Sequence, residues 1–556
     1  MIKTKIVSSL EKAFLDQPIG DFAAVSSLSV LKGERFSLQC LYTRSFAEER
    51  NAHLLRAVPE IEGALAPFVK FHRVRSVPVA KTKFPTTPVT DAFLRTEPGL
   101  YPDLLEPLDG GILNVTNDIT ESLWMEFSLP EDMAGGCYDC ALLLKEPKSG
   151  ELLAKECFTI EVINAALPKQ TLKVTQWFYT DCLASYYGVE AFSEAHWEII
   201  EKFAKMARDH GINLLLTPIF TPPLDTAVGG ERLTTQLVDI KKTNGRYFFS
   251  YKKLDRWIDM CNRVGIEYFE ISHLFTQWGA EHAPKIMATV DGEYKKIFGW
   301  ATDAAGEEYG AFLRTFLRSF LAHMRKRGDD RRCFFHISDE PIDEQLESYK
   351  RAKAQVKRIL KGYPIMDALS SFEFYKKKIC DLPIPASNHS APFIEAKVPS
   401  LWVYYCCGQD AGVSNRFIAQ SSAVNRSIGM QMYKYDIVGF LQWGFNFYNN
   451  QYSMAPINPY LDASGGNWVP AGDTYSVYPG AGGTPYPSLR LLVFEEAITD
   501  MRAMQLAESL TDHEAVVRAI EEAFGGEIRF DTCAVKGEKV LKIRAAVNEL
   551  IKKSLK

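Results

Sequence analysis

At 556 residues the chain is too long for one hydrophobic core and implies two or three domains. It is 46% hydrophobic and 24% charged, and its formal net charge of -5 gives no basic footprint for nucleic acid or an anionic membrane. Nine Trp and 24 Tyr point weakly to flat amphipathic ligands such as sugars, because large α/β enzymes carry many aromatics in any case. From Met1 to Gly20 no apolar segment reaches signal-peptide length, Glu11 and Asp16 interrupt it, and no later stretch is long enough to span a bilayer. A cytoplasmic location and no integral membrane segment are expected. The 11 cysteines are odd in number, irregular in spacing and include the vicinal pair Cys406-Cys407, which suits reduced thiols better than a secreted disulfide framework.

Up to about Leu167 the sequence is β-rich. Alternating runs such as Phe36–Leu41, Leu123–Leu129 and Cys157–Ile163, separated by Pro, Gly and Asp turns, have the period of half-buried strands in an antiparallel sandwich. The prolines between Pro78 and Pro107 fit long connections or edge strands. Cys137 and Cys140 form a lone C-x-x-C with no second pair or His partner, and read as ordinary thiols. Residues 1–167 are therefore expected to be an N-terminal β-sandwich in a supporting role.

After Leu167 the period changes. The run Leu172–Tyr179 is followed by an amphipathic stretch, Ser193–His210, closed by Gly211. Ile212–Phe220 is a buried-strand run, and a helix around Leu254–Val264 stops at Gly265. The alternation goes on with strand Glu267–Phe275, helix Glu307–Arg327, strand Cys333–Ser338 and helix Glu344–Leu360. Further strands fall at Pro364–Leu369, Ile384–Ser387, Leu401–Cys406 and Gly439–Trp443, with helices at Asn415–Tyr435 and Ser488–Leu510. Strands alternating with helices over residues 168–510 predict an α/β catalytic domain, a (β/α)8 TIM barrel with enlarged loops. The rival is a doubly wound sheet, which wants a phosphate-binding glycine turn after its first strand. Tyr179-Thr180-Asp181-Cys182 is not one. Residues 511–556, with amphipathic segments His513–Phe524 and Lys539–Leu555, are expected to form a short C-terminal helical extension. The glycines from Gly480 to Gly483 lie between prolines, open no helix and read as a loop.

The active site of such a barrel lies at the C-terminal ends of its strands. There the sequence offers Trp177, Tyr179 and Asp181, then Thr221 and Asp225, then His273, Gln277 and Trp278. The fourth strand ends in His336-Ile337-Ser338-Asp339-Glu340-Pro341, and the fifth supplies Asp367, Glu373 and Tyr375. Asn388, His389, Tyr404, Tyr405 and Asp410 follow, and the last strand adds Gln442, Trp443, Asn446 and Tyr448, with Asp473 and Tyr478 in its long loop.

Two neighbouring carboxylates cannot both ionise freely, so one of Asp339 and Glu340 is pushed up and can serve as a general acid near neutral pH. The alternative is that Ser338 or Asp339 only caps the helix after Pro341 and Glu340 is solvated. His336 fits a core role as well as direct substrate contact. No H-E-x-x-H, Walker lysine or G-x-S-x-G elbow is present, and no His pair sits at metal-ligand spacing beside a carboxylate. Neither a metal nor another cofactor is expected. A retaining two-carboxylate site wants a second acid about 5 Å away, commonly from another strand end. The seventh strand ends in Tyr404-Tyr405-Cys406-Cys407-Gly408-Gln409, with no carboxylate before Asp410. That favours substrate-assisted hydrolysis, in which a 2-acetamido oxygen attacks its own anomeric carbon and the protein supplies one acid/base and one amide-orienting neighbour.

The run His336–Pro341 resembles the strand-four motif of glycoside hydrolase family 123, the β-N-acetylgalactosaminidases. Gln176–Asp181, Gly439–Gly444, Gly472-Asp473 through Tyr478-Pro479-Gly480, and Ser488-Leu489-Arg490 through Glu495–Asp500 also match. The resemblance implies removal of terminal β-linked N-acetylgalactosamine from a glycoconjugate, with retention, through an oxazolinium intermediate. It implies Glu340 as acid/base and Asp339 as the residue steadying the acetamido group. Trp177, Tyr179, Asp181, His336, Tyr375, Asn388, Tyr404, Trp443, Asn446 and Asp473 are the expected substrate-binding residues. The preference for an axial 4-hydroxyl rests on the resemblance alone. The partner expected is a carbohydrate, with no nucleic acid. A glycosidase of the same fold acting on another sugar and a non-catalytic carbohydrate-binding protein are the competing readings.

Overall fold

The computed structural model describes residues 2–45 and 55–555. Among these residues the first part of the chain makes two five-stranded sheets. One runs β1 (Ile2–Ser8), β3 (Arg35–Arg44), β8 (Glu121–Ser128), β5 (Val69–Val79), β6 (Gly99–Pro107). The other runs β2 (Ser27–Lys32), β10 (Leu152–Ala166), β9 (Gly136–Lys145), β4 (Leu55–Glu62), β7 (Leu113–Val115). Phe36, Leu38 and Cys40 of β3, Leu123, Met125 and Phe127 of β8, and Phe158, Ile160 and Val162 of β10 meet in one buried cluster. Their two-residue spacing is what puts each set on a single face. β6 lies at an edge, where Pro102 and Pro107 remove no central ladder bond.

The remainder is mixed α/β. Short parallel strands form the sheets β11 (Lys173–Gln176), β22 (Gly439–Gln442), β21 (Trp402–Tyr404) and β12 (Leu214–Thr217), β15 (Tyr268–Ile271), β18 (Cys333–Phe335). A third parallel pair is β19 (Met366–Ala368) with β20 (Leu382–Ile384). Isolated parallel bridges Phe335–Ile365 and Ala386–Tyr404 link these pieces, and Asn213 N donates to Val174 O at 3.2 Å beside β11. The strands foreseen in this region are present but shorter, except that the one expected over Ile384–Ser387 lies at Leu382–Ile384 and Ser387–His389 is a 3-10 turn; the laddered sheets are separate segments rather than one continuous sheet. A side sheet of β14 (Arg246–Ser250), β13 (Asp239–Thr243), β16 (Ile286–Val290) and β17 (Glu293–Phe298), and a hairpin of β23 (Val477–Pro479) with β24 (Pro485–Pro487), are additions that periodicity did not foresee.

The helices follow their caps. Ser193 accepts from His196 N to start Glu194–Asp209, and Ser488 accepts from Leu491 N to start Leu489–Leu510. The helix expected over Asn415–Tyr435 is a correction: only Ser422–Arg426 and Ile428–Lys434 are helical. The preceding residues are held irregular, because the Asn415 amide donates to Cys406 O and Gln409 O, and the Arg416 guanidinium reaches Gln176 and Gln442. The C-terminal helices His513–Phe524 and Gly537–Ser554 bury Val516, Ile520, Val540, Ile543, Val547 and Ile551 in the main core. Arg544 from the last helix pairs with Glu34 at 2.6 Å and Asp500 at 3.0 Å. No helix among the described residues is long and apolar enough to cross a membrane.

Candidate active site

Beyond β18 the backbone is clamped from both sides. Asp367 Oδ1 accepts from Ile337 N at 2.9 Å and Ser338 N at 3.2 Å, Trp278 N donates to Asp339 O at 2.9 Å, and Glu340 N donates to Ala368 O at 2.9 Å. This forces Glu340 to a φ of 42°, in the left-handed region. Such a conformation costs a non-glycine residue about 1 kcal/mol or more and persists where surrounding structure over-determines it. Asp225 (φ 43°) and Trp278 (φ 56°) are held the same way in the same pocket. The capping alternative for Asp339 fails, since a short turn at Asp343–Gln345 precedes the helix Leu346–Val356 and Gln345 Oε1 takes Ile342 N.

Asp339 and Glu340 open into one pocket with Trp177, Tyr179, Tyr404, Trp443 and Trp468. Burial first, and the neighbouring Glu340 second, push the Asp339 carboxyl well above the usual carboxylate range, against the pull of His336. The protonated form of Asp339 is therefore favoured. Tyr404 donates its phenol to Glu340 Oε1 at 2.6 Å. Trp443 and Trp468 lie with ring centres 5.7 Å apart, and Asp473 Oδ2 accepts from Trp443 Nε1 at 2.8 Å. Gly444 is required beside Trp443, because a Cβ there would sit 2.3 Å from Thr474 O.

A buried charge chain supports this wall from below. Glu270 Oε1 accepts from Trp177 Nε1 at 2.7 Å and from His336 Nε2 at 2.7 Å, while its other oxygen takes the Thr175 hydroxyl. His336 Nδ1 faces Asp367 Oδ1 at 3.2 Å, and Tyr349 donates to Asp367 Oδ2 at 2.5 Å. Burial alone would lower the His336 pKa, but bonding to Asp367 and Glu270 outweighs it and raises the value to about 9. His336 is thus an imidazolium at neutral pH, and neutral His273 stacks on it with ring centres 4.2 Å apart. His273, His336 and Asp367 place ligand-type atoms within 4.8 Å of one another. The set does not fit a metal: both His336 nitrogens face carboxylates, and the rings are within 17° of parallel, so their lone pairs do not converge.

Several residues expected at the substrate lie behind the pocket instead. Asp181 makes a two-pronged ion pair with Arg232, both contacts at 2.8 Å, and the Arg232 guanidinium covers the Tyr179 ring at 4.7 Å. Asn446 pins the Tyr179 backbone, accepting from its N at 2.9 Å and donating to its O at 3.0 Å. His336 is fully buried, and Asp473 does not line the pocket but holds Trp443, which does. Asn388 is exposed and accepts from Gln409, and Tyr375 is half-buried against Phe372; neither lines the pocket. The wall includes Asp225, Gln277, Trp278, Cys406, Cys407 and Trp468, which the expected binding set lacks. Asp225, Gln277 and Trp278 sit at strand ends and were open to selection. Trp468, deep in the loop after β22, carries no sequence signal. Burial raises the Asp225 carboxyl to about 7, against Arg232 and the Tyr452 backbone N–H, and Gln277 Oε1 accepts from Asp225 N at 2.6 Å.

The model of the glycoside hydrolase 123 catalytic domain matches residues 177–507. No curated protein matches the chain. Among solved structures, a family 123 glycoside hydrolase from Clostridium perfringens, described for glycolipid glycan hydrolysis, is similar over 99% of this chain and 98% of its own, with 14% identity and a TM-score of 0.73. The N-terminal domain of PorA covers 30% of this chain and 100% of its own at 10% identity and a TM-score of 0.16. AvmM, which catalyses macrocyclization in alchivemycin A biosynthesis, covers 30% of this chain and 90% of its own at 9% identity and a TM-score of 0.17.

Proposed function

The chain belongs to glycoside hydrolase family 123, and from that membership we propose that it is an exo-acting β-N-acetylgalactosaminidase releasing terminal N-acetylgalactosamine with retention. We read its parallel strands as the segments of one (β/α)8 ring carrying the pocket at their C-terminal ends. The observation that carries the proposal is the adjacent pair Asp339 and Glu340 opening into a single aromatic-walled pocket. When the acetamido N–H of the sugar donates to Asp339, the charged form of Asp339 is favoured and its proton passes to Glu340. Glu340 then protonates the departing glycosidic oxygen while the acetamido oxygen closes on the anomeric carbon. Asp339 stabilises the oxazolinium that forms, and Glu340, now a base, takes a proton from the water that reopens it.

Asp225 favours a second reading, in which it acts as a protein nucleophile in a two-carboxylate scheme on a different sugar. A carboxyl raised to about 7 is about half protonated at neutral pH, which weakens it as a nucleophile and favours the substrate-assisted route. The test is hydrolysis of p-nitrophenyl β-N-acetylgalactosaminide beside the gluco epimer and the plain galactoside. The N-acetylgalactosaminide should be turned over, and the galactoside, which has no acetamido nucleophile, should be inert. Substantial galactoside turnover, or a fluorosugar trapped on a carboxylate, would restore the two-carboxylate reading. No turnover of any of the three would favour a binding protein.

A further inference from the structure

The wall of the pocket carries two thiols that the proposed hydrolysis does not use. Cys406 and Cys407 follow β21 and both line the cavity that holds Asp339 and Glu340. They occupy the first half of a tight turn. Gln409 N donates to Cys406 O at 3.2 Å, Gln409 Oε1 accepts from Cys406 N at 2.9 Å, and the Asn415 amide donates to Cys406 O at 2.8 Å. Both thiols are half-buried and free of any disulfide. We propose that Cys406 and Cys407 form a chelating dithiol site for trivalent arsenicals, whose occupation blocks the catalytic pocket.

The turn geometry selects this ligand class. Neighbouring Cα atoms across a trans peptide are about 3.8 Å apart. A disulfide usually wants about 4.4–6.8 Å, so direct closure of this pair is strained. One bridging arsenic atom lengthens the ring and relieves that constraint. The chemistry is a condensation without redox change: two As–O bonds of a hydrated arsonous acid break, two As–S bonds form, and the thiol protons leave with the two hydroxides as water. No free thiolate has to pre-exist. That suits Cys406, whose thiol is pushed well up by the adjacent Cys407 thiol, by burial, and by the charges of Glu340 and Asp473. Cys140 and Cys157, on neighbouring strands, do not offer the same arrangement. Cys140 pairs with Phe158 and Cys157 with Ala141, so their side chains leave opposite faces of the sheet.

The blocking half of the proposal rests on the pocket being the catalytic site; the binding half does not. The full chain is treated with phenylarsine oxide, alkylated with iodoacetamide, digested with trypsin and mapped. The tryptic peptide 398–416 contains Cys406 and Cys407 and no other cysteine. Both should escape alkylation after treatment and both should be alkylated without it. A retained phenylarsenic adduct of one per chain should be lost in Cys406→Ser and in Cys407→Ser. Hydrolysis of the aryl N-acetylgalactosaminide should fall in step with the adduct and return with dithiothreitol, but not with the same thiol concentration of 2-mercaptoethanol. Alkylation of both cysteines after treatment, or full hydrolysis at full occupancy, overturns the proposal whether or not either variant folds. If the chain hydrolyses no glycoside, the protected peptide still decides the binding site, and only the reading of the pocket as catalytic is lost.

Discussion

Tyr404 and Glu340 are joined by a 2.6 Å hydrogen bond from the phenol to Oε1, across the pocket from β21 to the segment that follows β18. Burial first, and the Glu340 charge second, hold the phenol well above its ordinary pKa, so it stays a donor throughout the working range. A hydrogen bond to a charged group contributes about 1.5–3 kcal/mol. Tyr404→Phe is expected to lower kcat/KM for an unactivated glycoside by roughly 10-fold to 100-fold. The circular dichroism spectrum should not change. A loss confined to KM would show that Tyr404 binds substrate without setting the Glu340 carboxyl.

Glu340→Gln should separate substrates by leaving group. A natural alkyl glycoside needs a proton on its leaving oxygen, and loses on the order of 10²-fold to 10⁴-fold when general acid catalysis is removed. A p-nitrophenyl glycoside leaves as a stable phenolate and should lose far less in its bond-breaking step. Equal losses on both would assign Glu340 another role.

Asp339→Asn should impair even the activated aryl substrate, because the charge facing the developing oxazolinium is gone. Asp339 must be ionised to accept the acetamido N–H, and its folded-state pKa is raised. The acidic limb of kcat/KM should therefore lie above the ordinary Asp value of about 3.9, and should vanish in Asp339→Asn. A limb at the ordinary value in the wild type would separate that titration from Asp339.

His336 lies between Glu270 and Asp367 with its pKa raised to about 9. A folded-state pKa raised above the unfolded value contributes stability present in full below about pH 6.5 and lost as pH rises toward 9. The wild type should lose thermal stability through that window, and His336→Gln should lack that part of the decline. At pH 6 the variant should also be less stable by about 3–5 kcal/mol, because two buried carboxylates lose their cation. Urea unfolding monitored between pH 6 and pH 9 measures both effects. Parallel pH profiles for the two proteins would show that the imidazole is neutral in the fold.

Asp225 has the opposite linkage to the usual salt-bridged carboxylate. Its pKa rises from 3.8 to about 7, so burial of the ionised form costs stability above that range and costs nothing below pH 4. Asp225→Asn should stabilise the protein at pH 8 by up to about 4 kcal/mol and leave it unchanged at pH 4. Asn also tolerates the left-handed backbone and can still accept from Tyr452 N. Retained hydrolysis in this variant would speak against Asp225 as a nucleophile, and a stability gain independent of pH would refute the linkage.

Most of the parallel strands and long helices from Leu172 to Leu510 were legible because each apolar run and each glycine stop acts within a few residues of chain. The Asp-Glu pair was legible for a similar reason, since two acids side by side at the end of a buried run have few structural uses. What lies around them was decided only by contacts far apart in sequence. His336 is an imidazolium because Glu270, 66 residues earlier, and Asp367, 31 residues later, enclose it. Asp181 was expected at the substrate, but it meets Arg232, 51 residues on, and that pairing places a guanidinium over Tyr179. The Asn415–Tyr435 run has helical periodicity, yet its first residues stay irregular because Arg416 is drawn to glutamine amides on β11 and β22. Periodicity reports which face of an element is apolar. Which charge a buried polar side chain meets depends on how the elements are brought together, and that is where the tertiary structure assigned Asp225, Trp468 and the Cys406-Cys407 turn to the pocket wall.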